Sequence, residues 1–314
     1  METVLVTGCD GYLGSRLVRG LVGAGHHVVG WGRRTKPTVP PGCSYYSGDL
    51  LSDVAVKRFQ NSLGKCINVI YHLADVTNRQ TMAENPLETC RNSVTGMRRI
   101  VSVFQSSTAE RLIYVSTGKV YGADSANEKR FGRDKPRSIS PQSPAGVLGT
   151  SRWLAETFLR SVPYSSDKAW SIARVFNVYG PEQPDDYLVP TLIRKFRERD
   201  NGSILLHGSL DAERDFIHVQ DAVNMLISTG MRKDCQHMDF DVGSGAPVSV
   251  FQVAKTVGAL LGYANAQIGL ADDVQQWRAG EPDVEVACLW NTWGTTDILD
   301  LASGLNNVLD TMEL

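Results

Sequence analysis

Over the first 180 residues, short apolar runs alternate with segments whose apolar positions recur every three or four residues. Val4-Leu5-Val6 is a β-branched-rich run and suits a strand covered on both faces, as in a parallel sheet. Thr7 to Gly14 follows, punctuated by glycine, and then Leu13, Leu17 and Leu21 with Val18 and Val22 fall on one helical stripe. Gly23 and Gly25 end that helix, and His27 to Trp31 reads as a second strand. Strand, glycine turn, helix and strand make one βαβ unit. The alternation continues: a helix from Ser52 as N-cap through Leu63, a strand over Asn68–Ala74, and a long helix from Pro86 to about Ser107. A strand over Arg111–Thr117, a helix from Thr150 to Arg160 and a strand over Trp170–Val178 complete it. This order predicts an α/β fold, a doubly wound parallel sheet of the Rossmann type.

Past residue 180 the rhythm loosens. Pro181, Pro184 and Pro190 punctuate a loop, a helix runs towards Asp200, Gly202–Gly208 is strand-like and Asp221–Thr229 is helical. We therefore expect a dinucleotide-binding domain over 1–180 and a smaller, mainly substrate-binding lobe over 181–314, partly interleaved with the first. Asp124 to Ser143 is polar and contains proline, the signature of a long surface loop.

Composition narrows the function classes. With 42% hydrophobic and 21% charged residues among 314, the chain can bury a substantial core. Its 32 basic and 34 acidic residues leave no basic field for nucleic acid. No apolar stretch reaches the roughly 20 residues of a membrane span, and Met1-Glu2-Thr3 leads straight into a strand without an export signal. The six cysteines are scattered without a Cys-x-x-Cys pair, which points to reduced thiols, a cytoplasmic location and no metal site.

Gly8-x-x-Gly11-x-x-Gly14 lies between a strand and a helix. In that context glycine lets a pyrophosphate approach the backbone, and the helix N-terminus offers free N–H groups to it. Gly8, Gly11, Tyr12, Leu13 and Gly14 are the expected cradle. The second strand ends Gly30-Trp31-Gly32-Arg33-Arg34, without the carboxylate that reads an NAD ribose. Arg33 and Arg34 suit a 2′-phosphate, so NADP is expected ahead of NAD. Asp49, followed by Leu50, is placed to meet the adenine amino group.

These residues and several later segments resemble the extended short-chain dehydrogenase/reductase family, which includes nucleotide-sugar epimerases, dehydratases and reductases. His72-Leu73-Ala74, Asn92, Tyr114-Val115-Ser116-Thr117 with Val120-Tyr121-Gly122, Arg174-Val175-Phe176-Asn177-Val178-Tyr179-Gly180-Pro181, Arg214-Asp215-Phe216-Ile217-His218-Val219-x-Asp221, Phe240 to Gly245 and Arg278 to Asp283 match its segments in order. The resemblance implies that Leu73, Ala74 and Asn92 line the cofactor. It implies that Asn177, Arg214 and Arg278 grip the diphosphate of a nucleotide-sugar or related small molecule, with Leu188 beside the base. It also admits a homodimer.

One segment departs from the family. Anchoring on Gly149, Ser151 and Glu156 puts Leu148 where the family has its catalytic tyrosine and Arg152 where it has the paired lysine. Leucine carries no proton to transfer. Arginine keeps the charge and can hold a ribose, so Arg152 is expected to serve both cofactor and catalysis. Thr117 matches the family's serine or threonine, and Lys119 is the candidate substitute acid/base. Two readings stay open: an NADP-dependent enzyme acting on a nucleotide-linked sugar with an atypical active site, and a catalytically inactive NADP-binding sensor or partner subunit.

Overall fold

The computed structural model describes residues 1–35, 37, 39–62, 66–121, 144–198, 203–271, 284–285 and 297–312. In chain order the elements are β1 (Thr3–Thr7), α1 (Tyr12–Gly23), β2 (His27–Gly32), β3 (Cys43–Ser47), α2 (Asp53–Ser62), β4 (Val69–His72), α3 (Arg79–Glu84), α4 (Pro86–Ser106), β5 (Arg111–Thr117) and α5 (Pro144–Ser161). There follow β6 (Ala169–Val175), β7 (Asn177–Tyr179), α6 (Leu188–Arg197), β8 (Ile204–Leu206), β9 (Glu213–His218) and α7 (Val219–Gly230). Last come β10 (Met238–Val242), β11 (Pro247–Ser249), α8 (Val250–Leu260), β12 (Ile268–Leu270), β13 (Val284–Glu285) and α9 (Leu301–Met312).

Seven strands form one sheet in the order β10-β6-β5-β4-β1-β2-β3. Every pairing in it is parallel. The doubly wound Rossmann fold expected from the sequence is therefore present, and its strand order reverses between β1 and β4. A side chain points to alternate faces along each strand, so both faces must be covered. Leu5 packs with Phe59, Ile100, Phe104 and Leu159 from α2, α4 and α5. Its neighbours Val4 and Val6 pack with Leu17, Leu21, Val223 and Leu226 from α1 and α7. The strand β10 and helix α7 belong to this layered body although they lie past residue 180. A third core joins Leu192 and Phe196 of α6 to Val253 and Val257 of α8 and Leu305 and Val308 of α9. Beside it, β7 and β9 run parallel and β11 runs antiparallel to β9. No helix among the described residues is long and apolar enough to cross a membrane.

Three elements differ from expectation. The strand read over 170–178 is two: Phe176 N donates to Val242 O at 3.0 Å, and the chain then leaves the large sheet to pair with β9. Helix α5 begins at Pro144, six residues before the expected start. Proline is compatible with the first helical turn, and Gly146 and Gly149 dilute the helical signal behind it. Helix α3 escaped the sequence reading; Asn78 caps it, its Oδ1 accepting from Thr81 N at 2.9 Å. The expected surface loop over 124–143 lies outside the described residues.

Candidate active site

The turn after β1 is built by glycine. Gly8 has φ +70°, a left-handed conformation that side chains rarely adopt. Its N–H donates to Trp31 O at 2.8 Å and its carbonyl accepts from Gly11 N at 3.0 Å. A Cβ on Gly14 would lie 2.1 Å from Gly8 O, so the first helical turn seats directly on the loop. A Cβ on Gly8 would lie 2.8 Å from Ala74 N, so the turn also abuts the exit of β4. Gly11 is the N-cap of α1 and has no side chain to satisfy the first N–H groups of the helix. The first N–H groups of α1 are therefore left without a side-chain cap where the strand order reverses, an arrangement suited to the pyrophosphate of a dinucleotide. Leu13 packs inward. The Tyr12 ring lies under the Arg16 guanidinium, 4.2 Å from it, so this residue can offer the cradle its backbone alone.

The end of β2 differs from the sequence reading. A carboxylate does stand there, supplied by Asp10 from the glycine turn. Its Oδ2 would be 2.6 Å from a Cβ on Gly32. It accepts from Arg34 N at 3.4 Å and from the Tyr45 hydroxyl at 3.4 Å. Burial first, and the Asp10 carboxylate second, push Tyr45 up to about 12, so its hydroxyl stays a donor. Arg33 is exposed. The Arg34 side chain is 69% exposed, with Nε 4.0 Å from Asp10. Asp49 caps its own turn, Oδ1 accepting from Leu51 N at 2.9 Å. The Leu50 side chain is core, while its carbonyl accepts from Arg99.

The exits of β4 and β5 carry the chemistry-bearing groups. Leu73 N donates to Thr7 O at 3.2 Å and Ala74 N to Thr7 Oγ1 at 3.2 Å. Thr7 Oγ1 and His72 Nδ1 share a hydrogen bond of 2.7 Å. Burial, with the nearby Arg152 charge, lowers His72 to about 3, so its ring is neutral. Arg152 reaches this spot from α5. Its Nη1 pairs with the Asp75 carboxylate, and Nη2 donates to Val76 O at 3.3 Å. Both side chains of the pair are 5% exposed. Burial pushes the guanidinium down to about 9, still charged at neutral pH. Asp75 Oδ1 accepts from Val76 N and from the Ser93 hydroxyl, each at 2.7 Å. Ser93 is the neighbour of half-buried Asn92 on α4. Asp75 and Ser93 were missed by sequence reasoning; the available signal was an acid directly after an apolar strand.

Leu148 lies four residues before Arg152 on the same helix, its side chain has no hydroxyl, and its carbonyl accepts from the Ser151 hydroxyl at 3.0 Å. Thr117 ends β5, its Oγ1 accepting from Lys119 N at 3.3 Å, and both residues are half-buried. Tyr121, two residues on, is committed elsewhere: its hydroxyl accepts from Arg174 Nη1 at 2.9 Å and donates to Asp241 at 2.8 Å. Beneath it Glu156 accepts from Ser116 at 2.6 Å and from Arg174 at 3.2 and 2.7 Å. Asp239 lies 2.8 Å from the same guanidinium. Burial works against the Arg174 charge, but Glu156, Tyr121 and Asp239 outweigh it and raise the group above its ordinary value.

On the lobe side, Asn177 and Arg214 come from the paired strands β7 and β9. Asn177 Nδ2 donates to Asp215 O at 3.0 Å, and Arg214, 6% exposed, donates to Glu213 O at 2.9 Å. Directly after Arg214, Asp215 accepts from Ser244 N, Ser244 Oγ and Gly245 N at 2.6–2.8 Å. That carboxylate ties β9 to the loop after β10. Leu188 opens α6. Arg278, Glu281 and Asp283 lie outside the described residues. Among the described residues no group of three His, Cys, Asp or Glu side chains is placed to hold a metal.

Known proteins resemble this chain in sequence and in fold. The chain is 25% identical over 287 residues to human dTDP-D-glucose 4,6-dehydratase, covering 88% of this chain and 77% of the relative. The solved structure of MoeE5 in complex with UDP-glucose and NAD is 27% identical with a TM-score of 0.79, covering 99% of this chain and 98% of that one. A UDP-glucose 4-epimerase from Thermotoga maritima superposes with a TM-score of 0.82 at 20% identity, covering 99% and 98%, and shares the fold. The pattern of one family matches residues 4–243, which include the glycine turn, the exits of β4 and β5, and Arg152: the chain belongs to the NAD dependent epimerase/dehydratase family.

Proposed function

We propose that the protein is a nicotinamide-dinucleotide-dependent enzyme that acts on a nucleotide-linked sugar, of the epimerase, dehydratase or reductase type. The observation that carries this is Arg152, held by Asp75 at the exit of β4 beside a glycine turn open to a pyrophosphate. The bound cofactor supplies hydride acceptance and return at the nicotinamide ring. Gly8, Gly11 and Gly14, with the N–H groups of Tyr12 and Leu13, are the proposed pyrophosphate cradle. Leu73, Ala74, Asn92 and Arg152 are its proposed flank, and Asp49 with Leu50 its adenine edge. Arg33 and Arg34 support NADP; Asp10 opposes it.

For the substrate, Arg214 suits a diphosphate because a guanidinium grips phosphate oxygens bidentately. Asn177 donates without adding charge, Leu188 offers an apolar edge, and Arg278 is the proposed second clamp. Thr117 is the proposed hydrogen-bonding partner of the reacting sugar oxygen. Lys119, on the same turn, is the proposed proton carrier. Arg152 orients and holds charge; a guanidinium does not give up its proton. General acid–base help contributes about 10²–10⁴ in rate, so a site without the tyrosine turns over slowly while positioning remains.

A mass-spectrometric screen of nucleotide-sugars with oxidised and reduced cofactor tests the reading. Product is expected, with Thr117→Val and Lys119→Met each reducing turnover at unchanged cofactor affinity. The absence of a hydroxyl at Leu148 favours a second reading, a cofactor-binding sensor. Tight cofactor binding without product and without nucleotide-sugar affinity would establish that reading and remove the enzyme.

A further inference from the structure

We propose that Asp10, projecting from the glycine turn, reads the adenosine ribose of the cofactor and makes the chain select NAD over NADP. The inference rests on the cofactor reading above and concerns a residue outside the position where such an acid is expected. A dinucleotide whose pyrophosphate sits at the N-terminus of α1 lays its ribose over the end of the adjoining strand β2, where a carboxylate accepts from the vicinal hydroxyls. In this chain β2 ends in Gly32. The space its side chain would fill is taken: a Cβ there would meet Asp10 Oδ2 at 2.6 Å, the Tyr45 hydroxyl at 2.6 Å and Asp10 Cγ at 2.7 Å. Glycine at 32 and aspartate at 10 are therefore one device, with the strand giving up its side chain so that the turn can supply the carboxylate.

The placement is held from three sides. Asp10 immediately precedes Gly11, the N-cap of α1, so carboxylate and pyrophosphate donors share one turn. Tyr45 reaches across from β3, next to β2, and donates to Asp10 Oδ2 at 3.4 Å. Arg34 N donates to the same oxygen at 3.4 Å, and Arg34 Nε lies 4.0 Å from it. All these contacts go to Oδ2, so Oδ1 of this 19% exposed carboxylate is the oxygen assigned to the ribose hydroxyls. A 2′-phosphate brought to that point meets like charge. Of the two arginines that suggested NADP, one has Asp10 as a counter-ion and the other is exposed. A hydrogen bond to a charged group corresponds to roughly 10- to 100-fold in affinity, and repulsion of the phosphate acts in the same direction.

The experiment is calorimetric titration of the full chain with NAD⁺ and with NADP⁺. The wild type is expected to bind NAD⁺ at least ~10-fold more tightly. Asp10→Asn keeps the shape and removes the charge; it should weaken NAD⁺ by about 10-fold, strengthen NADP⁺ and close the gap. The triple variant Asp10→Ala, Gly32→Asp and Tyr45→Phe moves the carboxylate to the strand end, removes the hydroxyl that would meet its Cβ at 2.6 Å, and should restore NAD⁺ preference. Equal or tighter NADP⁺ binding by the wild type overturns the proposal, and so does an unchanged ratio in Asp10→Asn, while the cofactor reading stands. If the wild type binds neither dinucleotide, the cofactor reading falls and Asp10 falls with it.

Discussion

Glu156→Gln is the substitution whose cost the structure defines most directly. Glu156 is 1% exposed and uses both carboxylate oxygens: Oε1 accepts from Ser116 Oγ and Arg174 Nε, and Oε2 accepts from Arg174 Nη2. Glutamine has the same shape but one acceptor oxygen. If that oxygen takes the Oε1 position, the new NH₂ points at Arg174 Nη2, donor against donor. If it takes the Oε2 position, the NH₂ faces both Ser116 and Nε. Either way a fully buried guanidinium loses a charged partner. Breaking a buried pair costs about 3–5 kcal/mol. Asp239 at 2.8 Å and the Tyr121 hydroxyl at 2.9 Å still hold Arg174, so the low end, roughly 3 kcal/mol, is expected.

For a body of this size each kcal/mol moves the midpoint by roughly 2–4 °C, so thermal unfolding by circular dichroism should shift down by about 6–12 °C. Arg160→Ala is the control. That side chain is 35% exposed, pairs with Asp239 at 2.6 Å, reaches Glu156 at 3.4 Å and lies over the Trp170 ring, so its loss should cost about 1 kcal/mol, less than that of Glu156→Gln. A Glu156→Gln loss as small as that of Arg160→Ala would refute the reasoning, because it would mean that the buried charges are not coupled as the distances imply.

Two further outcomes follow from particular contacts. Gly14→Ala places a Cβ 2.1 Å from Gly8 O. The obstacle is backbone, so overpacking should cost about 1–3 kcal/mol and dinucleotide binding by calorimetry should vanish; Gly23→Ala, with nothing within 4 Å, should leave both unchanged. His72 is held neutral in the fold, with its value lowered by burial to about 3, while the unfolded chain protonates near 6.5. The unfolded state therefore binds the extra proton between those values, so this contribution to stability is complete above about pH 6.5 and is lost as pH falls towards 3. His72→Asn should flatten that part of a urea-unfolding pH series; an equally steep series in the variant would assign the slope to other groups.

The sheet was legible in the sequence because its strands are covered on both faces and read as short apolar runs. Val4-Leu5-Val6 and Arg111–Thr117 announce themselves without knowledge of their partners. The split at Phe176 did not, because the residues on either side stay apolar or β-forming while the chain changes sheets. That break depends on Val242, 66 positions further on, which accepts from Phe176 N. Gly8, Gly11 and Gly14 were legible because spacing and context together require close backbone contact. Asp10 and Asp75 were not. Each lies beside a recognisable motif at a position that holds no fixed chemistry, and its role depends on what the fold brings opposite: Gly32 for one, Arg152 for the other.

Those two aspartates also show which losses this fold can absorb. A carboxylate can act from any segment that reaches the right point, because Coulomb attraction and hydrogen-bond acceptance depend on where the oxygens are and not on which strand supplies them. So the side-chain space at the end of β2 is filled from the glycine turn, and the buried Arg152 is balanced by Asp75 from the exit of β4. Proton transfer is more demanding. It needs a group with a movable proton within hydrogen-bond reach of the reacting oxygen. Leu148 offers none, and the Tyr121 hydroxyl is bound between Arg174 and Asp241. The Tyr114 ring is stacked on His72 within the core, 5.6 Å between centroids. The turn over Thr117–Lys119 at the exit of β5 is the segment to which the proposed acid–base role is assigned, and a Lys119→Met variant that keeps the full rate would remove Lys119 from it.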